Sequence, residues 1–220
     1  MNEILLFAEI AIFFSGILII KKFYSLNGLY AWITLATCLA EIQVSKAVTF
    51  FGIEATLGNV LFASTFLTTD IIRENYGQEK AKKAPLYSLL GAVVYLIFAL
   101  ITPRYIPIGA DLVDESMKVL FSFSFRITIS SIFMLIVANY IDVILYEKLY
   151  QKMNGRYMWL RNNICTIICN CVENYIFTFL AFGGMFDFRT LIIIATSTTF
   201  IEIIIAILDT PFLYLSKKIK

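Results

Sequence analysis

Glu41, Asp70, Asp142, Glu173, Glu202 and Asp209 lie inside, or at the ends of, strongly apolar stretches of a 220-residue chain. Arg126, Asn139, Asn170 and Asn174 share those stretches. A charged group within hydrocarbon is costly unless it faces protein or water, so each needs a reason. Asn163, Thr166, Asn170, Glu173, Asn174 and Phe177 recur at helical spacing and form one polar stripe. Thr34, Cys38, Glu41 and Ser45 form a second, and Thr198, Glu202 and Asp209 a third. Asn139 and Asp142 stand three apart and are therefore neighbours on a helix. The bland reading is that the amides and hydroxyls only hydrogen-bond across to neighbouring helices. Arg126 with Asp142 or Asp70 then makes a fixed internal ion pair, and Asp70, Asp142 and Asp209 cap or snorkel near span ends. Glu41 and Glu173 sit mid-span and fit that reading less well. Polar stripes on several helices together predict a shared internal cavity, which a transporter or a membrane-embedded binding subunit needs.

The elements that position these groups follow from composition. Hydrophobic residues make up 60% of the chain, charged ones only 15%, and the mean hydropathy is +0.81. A soluble domain carries nearer a quarter charged residues. An all-α, polytopic membrane helix bundle is predicted, forming a single integral membrane domain over residues 1–220. Apolar segments run over Ile4–Ile20, Leu29–Phe50, Ala55–Ile72, Pro85–Ile101, Phe123–Tyr146, Ile164–Phe182 and Leu191–Leu215. They predict about seven transmembrane helices of roughly 20 residues each. Breaks fall at Lys21-Lys22, Phe51-Gly52, Tyr76-Gly77, Pro103 to Lys118, Gln151 to Arg161 and Gly183-Gly184. The first segment lacks a basic leader and a small-residue cleavage site, so it reads as a retained helix.

Orientation follows from the lysines and arginines. One side receives Lys21, Lys22, Arg73, Lys80, Lys82, Lys83, Lys148, Lys152, Arg156, Arg161, Lys217, Lys218 and Lys220. The other receives Lys46, Arg104, Lys118, Arg126 and Arg189. The richer side is expected to be cytoplasmic, with the N-terminus outside, the C-terminus inside and the protein in the cell membrane.

Soluble-site chemistry has no signature here. There is no P-loop, dinucleotide-binding glycine turn or HExxH, and no GxSxG elbow. Histidine is absent, and Cys38, Cys165, Cys169 and Cys171 all fall in apolar stretches, where they read as small buried hydrophobes. No metal, cofactor or catalytic residue is predicted, and the chain is not expected to be an enzyme.

The stretch "STFLTTDIIRENYGQEKAKKA" resembles the signature of the queuosine-precursor transporter family, also called the vitamin uptake transporter family. Thr69-Asp70-Ile71, Glu74-Asn75-Tyr76-Gly77 and Ala81-Lys82-Lys83 carry the match. Two further blocks agree, one through Arg126 and Asp142, the other through Trp159, Arg161, Asn162, Thr166 and Phe177. The resemblance runs in order from Leu29 to Leu215, with residues 28–218 as the family core and 1–22 as an extra N-terminal span. In this chain Asn139 stands where the family usually has Gln, Glu173 where Asp or Asn is usual, and Glu41 where Asn is usual.

The resemblance implies a fold like that of the substrate-binding subunits of energy-coupling-factor importers. It implies inward transport of a 7-deazaguanine base (the nitrile or aminomethyl precursor, or queuine) for tRNA modification. The alternative is such a binding subunit driven by a separate ATPase pair. A guanine-like base presents its ring N–H and 2-amino group on one edge. Glu173 can accept both, Asn170 or Asn174 can answer the carbonyl, and Phe177, Phe62 or Phe66 can stack on the ring. Glu41 and Asn139 join this binding set. Asp70, Arg126, Asp142, Glu202 and Asp209 take structural or gating roles, with Asp70 expected to pair with Arg126, Lys82 or Arg161 or to hold the Tyr76-Gly77 turn. The expected partners are a small-molecule nucleobase and the lipid bilayer, not nucleic acid; a homo-oligomer is the one protein partner considered.

Overall fold

The computed structural model describes residues 1–109, 111–122, 124–154 and 156–219, and the side chains of Ser122, Ser124, Asn139 and Val143 are also outside the described set. Phe123, the expected start of the fifth apolar segment, and Lys220 therefore lie outside the described residues.

Helix α1 (Asn2–Gln43) is two rods joined at Ser25, whose φ of 52° and ψ of −139° are non-helical. Leu6, Ile10, Phe14, Ile17 and Lys21 on the first rod are buried at three- or four-residue steps. Leu29, Ile33, Ala36 and Ala40 do the same on the second. The outward faces carry exposed Ile4, Leu5, Ile12, Ile19, Leu35 and Leu39. In a bilayer those apolar faces meet lipid, while the helical backbone satisfies its own polar groups. Lys21 is buried near the bend and donates from Nζ to the carbonyls of Ser216 (2.6 Å) and Ile219 (2.7 Å), tying the first rod to the C-terminus.

The second apolar segment ends earlier as a helix than its hydropathy implies. Residues Ala47–Phe50 form strand β1, which pairs antiparallel with β2 (Ile53–Thr56) in the register Ala47↔Thr56 to Phe50↔Ile53. Phe51 (φ 51°) and Gly52 (φ 77°) make the turn, both left-handed, as a two-residue hairpin requires. An apolar strand and the end of an apolar helix look alike in a hydropathy run.

Helix α2 (Asn59–Tyr76) starts after Gly58, at φ 102°, and stops at Gly77, at φ 90°. It is the least apolar of the long helices and sits among the others, packed on α1 and on α8 (Phe188–Ser216). Ser64, Thr65, Thr68 and Thr69 satisfy their hydroxyls by bonding back to carbonyls three or four residues earlier, at 2.6–2.8 Å. A short helix α3 (Gln78–Ala81) leads into α4 (Ala84–Ile101), which has Pro85 in its first turn. After a 3-10 turn at Thr102–Arg104 come α5 (Asp114–Ser122), α6 (Ser124–Lys152), α7 (Met158–Phe182) and α8. Asp187 caps α8, accepting from Thr190 N at 3.2 Å.

Among the described residues, five helical stretches are long and apolar enough to cross a membrane: Asn2–Gln43, Gln78–Arg104, Asp114–Lys152, Met158–Phe182 and Phe188–Ser216. Helices α1 and α4 meet at Gly91. Its carbonyl accepts from Cys38 Sγ (3.1 Å), and a Cβ added there would stand 2.5 Å from the carbonyl oxygen of Thr34. Small residues allow such close approach of membrane helices. Gly91→Ala is expected to cost about 1–3 kcal/mol through overpacking, read as a lower melting temperature in detergent. An unchanged melting temperature would show that this contact does not lock α1 to α4.

Candidate functional site

The stretch Asp70-Ile71-Ile72-Arg73-Glu74 is one turn of α2, and it organises one end of the bundle. Arg73 donates from Nη1 to Asp70 Oδ1 (2.9 Å) and from Nη2 to Asp142 Oδ2 on α6. Its guanidinium carbon lies 4.1 Å from the ring centroid of Tyr146, a cation–π contact. The next residue, Glu74, accepts from Arg161 of α7 (2.9 Å), Lys217 at the end of α8 (2.8 Å) and the Tyr146 hydroxyl (3.2 Å). Two residues of α2 thus tie α6, α7 and α8 together by charge-assisted bonds.

This answers where Asp70 belongs. The sequence offered Arg126, Lys82 or Arg161 as its partner; the structure pairs it with Arg73. Lys82 binds Glu79 (2.6 Å), and Arg161 binds Glu74. That contact with Lys82 holds the Glu79 carboxyl below the usual carboxylate range. Arg126 lies at the opposite end of the bundle and pairs with neither aspartate. It donates to the carbonyls of Leu180 (2.8 Å) and Gly183 (2.6 Å), closing the end of α7.

Inside the bundle two chambers share a wall made of Phe62, Phe66, Ser131 and Glu173. The first is lined also by Glu41, Asp70, Arg73 and Asp142. The second is lined also by Asn59, Asn174, Phe177 and Glu202. A further recess under the hairpin shares Val44, Thr56, Phe182 and Ile194 with the second chamber. At the other end, a recess around Tyr146, Tyr150 and Arg161 shares Arg73 with the first. A file of cavities therefore runs the length of the bundle, and Arg73 with its two aspartates stands between the first chamber and the recess at the lysine-rich end.

Glu173 occupies the centre of this file. Its carboxylate has no hydrogen-bond partner among the described residues, although it lines both chambers. Glu41 is 1% exposed; Thr128 Oγ1 donates to its Oε2 (3.0 Å), while its Oε1 has no partner among the described residues. Asn174 donates from Nδ2 to Glu202 Oε2 at 2.6 Å, a pair bridging α7 and α8. Phe177 lines the second chamber with its ring edge-to-face against Phe182. Asn170 is buried but lines neither chamber, its Oδ1 without a partner among the described residues; Thr166 and Cys169 take the wall of the first chamber instead. Asp209 is half-buried on α8 and lines neither chamber. The side chain of Asn139 lies outside the described residues. Arg73, Glu74 and Asn59 were not among the sequence-based site residues. For Arg73 the usable signal was its i,i+3 spacing to Asp70. Among the described residues, no group of three His, Cys, Asp or Glu side chains is arranged to hold a metal ion.

A bundle of lipid-facing helices around a file of internal cavities defines a multi-pass membrane protein. A family profile described as "Putative vitamin uptake transporter" matches residues 56–216. Over 210 residues the chain is 30% identical to the "Probable queuosine precursor transporter" of Bacillus subtilis (strain 168), an alignment covering 94% of this chain and 91% of that protein. No solved structure matches the chain. The chain belongs to the vitamin uptake transporter family, whose members are membrane transporters of small molecules.

Proposed function

We propose that the protein carries a 7-deazaguanine queuosine precursor inward across the cytoplasmic membrane, for use in tRNA modification. The observation that supports this best is Glu173: an unpaired carboxylate between two chambers, with Phe62 and Phe66 in the shared wall and Phe177 beyond. A purine-like ring needs flat apolar faces and an acceptor for its paired donors. Base–aromatic stacking contributes roughly 1–3 kcal/mol. The relative of Bacillus subtilis bears a queuosine-precursor transporter name, which supports the same substrate class.

The chain is read as seven crossings. On this reading the bend at Ser25 divides α1 into two crossings, residues 2–24 and 26–43, and α2, which packs on α1 and α8, is the third. The N-terminus is outside and the C-terminus cytoplasmic, with 28–218 as the transport core. A reporter fused at the C-terminus is expected to read cytoplasmic, and one inserted at Asp114 external; the reverse at either position overturns this topology. Transport itself is tested by expressing the protein alone in a host that lacks energy-coupling components and following a labelled base. Accumulation supports a self-sufficient carrier. Binding without accumulation assigns the chain instead to a binding subunit that needs a separate ATPase.

A further inference from the structure

We propose that Asn59 and the amino end of α2 form the donor half of the binding site and read the acceptor edge, the ring carbonyl, of the base; this rests on reading the chambers as a nucleobase site. Asn59 is the first residue of α2, 5% exposed, and its Nδ2 has no hydrogen-bond partner among the described residues. It lines the second chamber together with Glu173, Asn174 and Glu202. A buried amide donor left unsatisfied is costly, so its placement at a cavity wall calls for an acceptor there.

The backbone adds to the same pole. Gly58 at φ 102° turns the chain abruptly from the hairpin into the helix. The N–H of Phe62 bonds the Gly58 carbonyl at 3.0 Å, so the amides before it are the free donors of a helix start. The positive end of the helix dipole points the same way and favours an acceptor. Opposite in chemistry are the carboxylates Glu173 and Glu202. The chamber thus has a donor pole on α2 and an acceptor pole on α7 and α8. A guanine-like ring has the matching asymmetry: its carbonyl stands at one end of the edge that carries its two N–H donors.

The amides of the α7 stripe are poorer candidates for the carbonyl. Asn174 has its Nδ2 anchored on Glu202 at 2.6 Å, and Asn170 lines neither chamber. Asn59 is the buried amide in this wall whose donor is free among the described residues.

The test compares purified full-length protein with Asn59→Asp and Asn59→Ala, using two probes. One is a 7-deazaguanine; the other is its 6-thioxo analogue, which keeps both donors and replaces the carbonyl oxygen with sulfur, a weak acceptor. The native protein is expected to bind the oxo base at least about tenfold more tightly than the thioxo base. Both variants should bind the oxo base about tenfold more weakly and hold the two bases within about twofold of each other. Asn59→Ala removes the donor without adding a charge, so it decides the matter if Asn59→Asp does not fold. A variant that keeps the native oxygen-over-sulfur ratio overturns the role of Asn59 while leaving the nucleobase reading intact. A native protein that binds neither probe overturns both.

Discussion

Glu173→Gln is expected to weaken binding of the base by at least about tenfold while leaving the protein level near that of the native chain. The native carboxylate can accept two parallel N–H bonds from the donor edge of the ring. Glutamine keeps one acceptor but turns an amino group toward the second donor. A buried donor left without an acceptor costs about 1–3 kcal/mol, more beside a charge, and 1.4 kcal/mol is about a factor of ten in affinity. The fold should tolerate the change, because no described side chain bonds this carboxylate and glutamine fills the same volume. An analogue lacking the 2-amino group should lose far less affinity in the variant than the parent base does. Equal affinity of Glu173→Gln and the native protein for the parent base removes Glu173 from the site.

Arg73→Ala is expected to have the largest effect on stability, about 3–5 kcal/mol. The Arg73 side chain is 6% exposed and those of Asp70 and Asp142 are 13% and 24% exposed. Removing the cation leaves two carboxylates sharing one site with nothing to balance them. It also removes the face that packs on Tyr146 and loosens α2 from α6. The melting temperature in detergent and the amount of protein in the membrane should both fall sharply. Arg73→Met combined with Asp70→Asn and Asp142→Asn should recover a good part of the loss, because neutralising all three groups together leaves no uncompensated charge. If Arg73→Ala melts with the native protein, the triad contributes no stability.

Much of the bundle can be read in the sequence, because lipid demands long apolar helices and their ends are marked by glycines and basic residues. Glu173, Phe62 and Phe66 are legible for the same reason: a carboxylate in mid-span stands out, and so do aromatic residues spaced along its neighbour. The hairpin at Ala47–Thr56 is not, since Val48, Phe50, Ile53 and Ala55 raise hydropathy whether they lie on strand or helix. The partners of Arg73 are not legible, because counting basic residues by side does not show that its length and planar fork let it reach back to Asp70 and across to Asp142. Arg126 was misjudged because its partners are backbone carbonyls, which no pattern of side chains reveals. Asn59 was visible as a polar residue in an apolar run. That its amide lacks a partner is a property of the packed bundle alone.

The first chamber is walled by Glu41, Asp70, Asp142 and Glu173, with Arg73 the one cation among its described lining residues. Both arms of that guanidinium are already held by aspartates. A phosphate group reaching this chamber would meet several carboxyls and, among its described lining residues, no unengaged cation, and the field of such a wall repels anions. A carboxyl that takes up a proton still offers a phosphate no positive charge. If the solute is a free base, as proposed, such a wall separates it from its phosphorylated relatives by charge rather than by the ring they share. A passage for a scarce base would then stay open without draining the nucleotide pool.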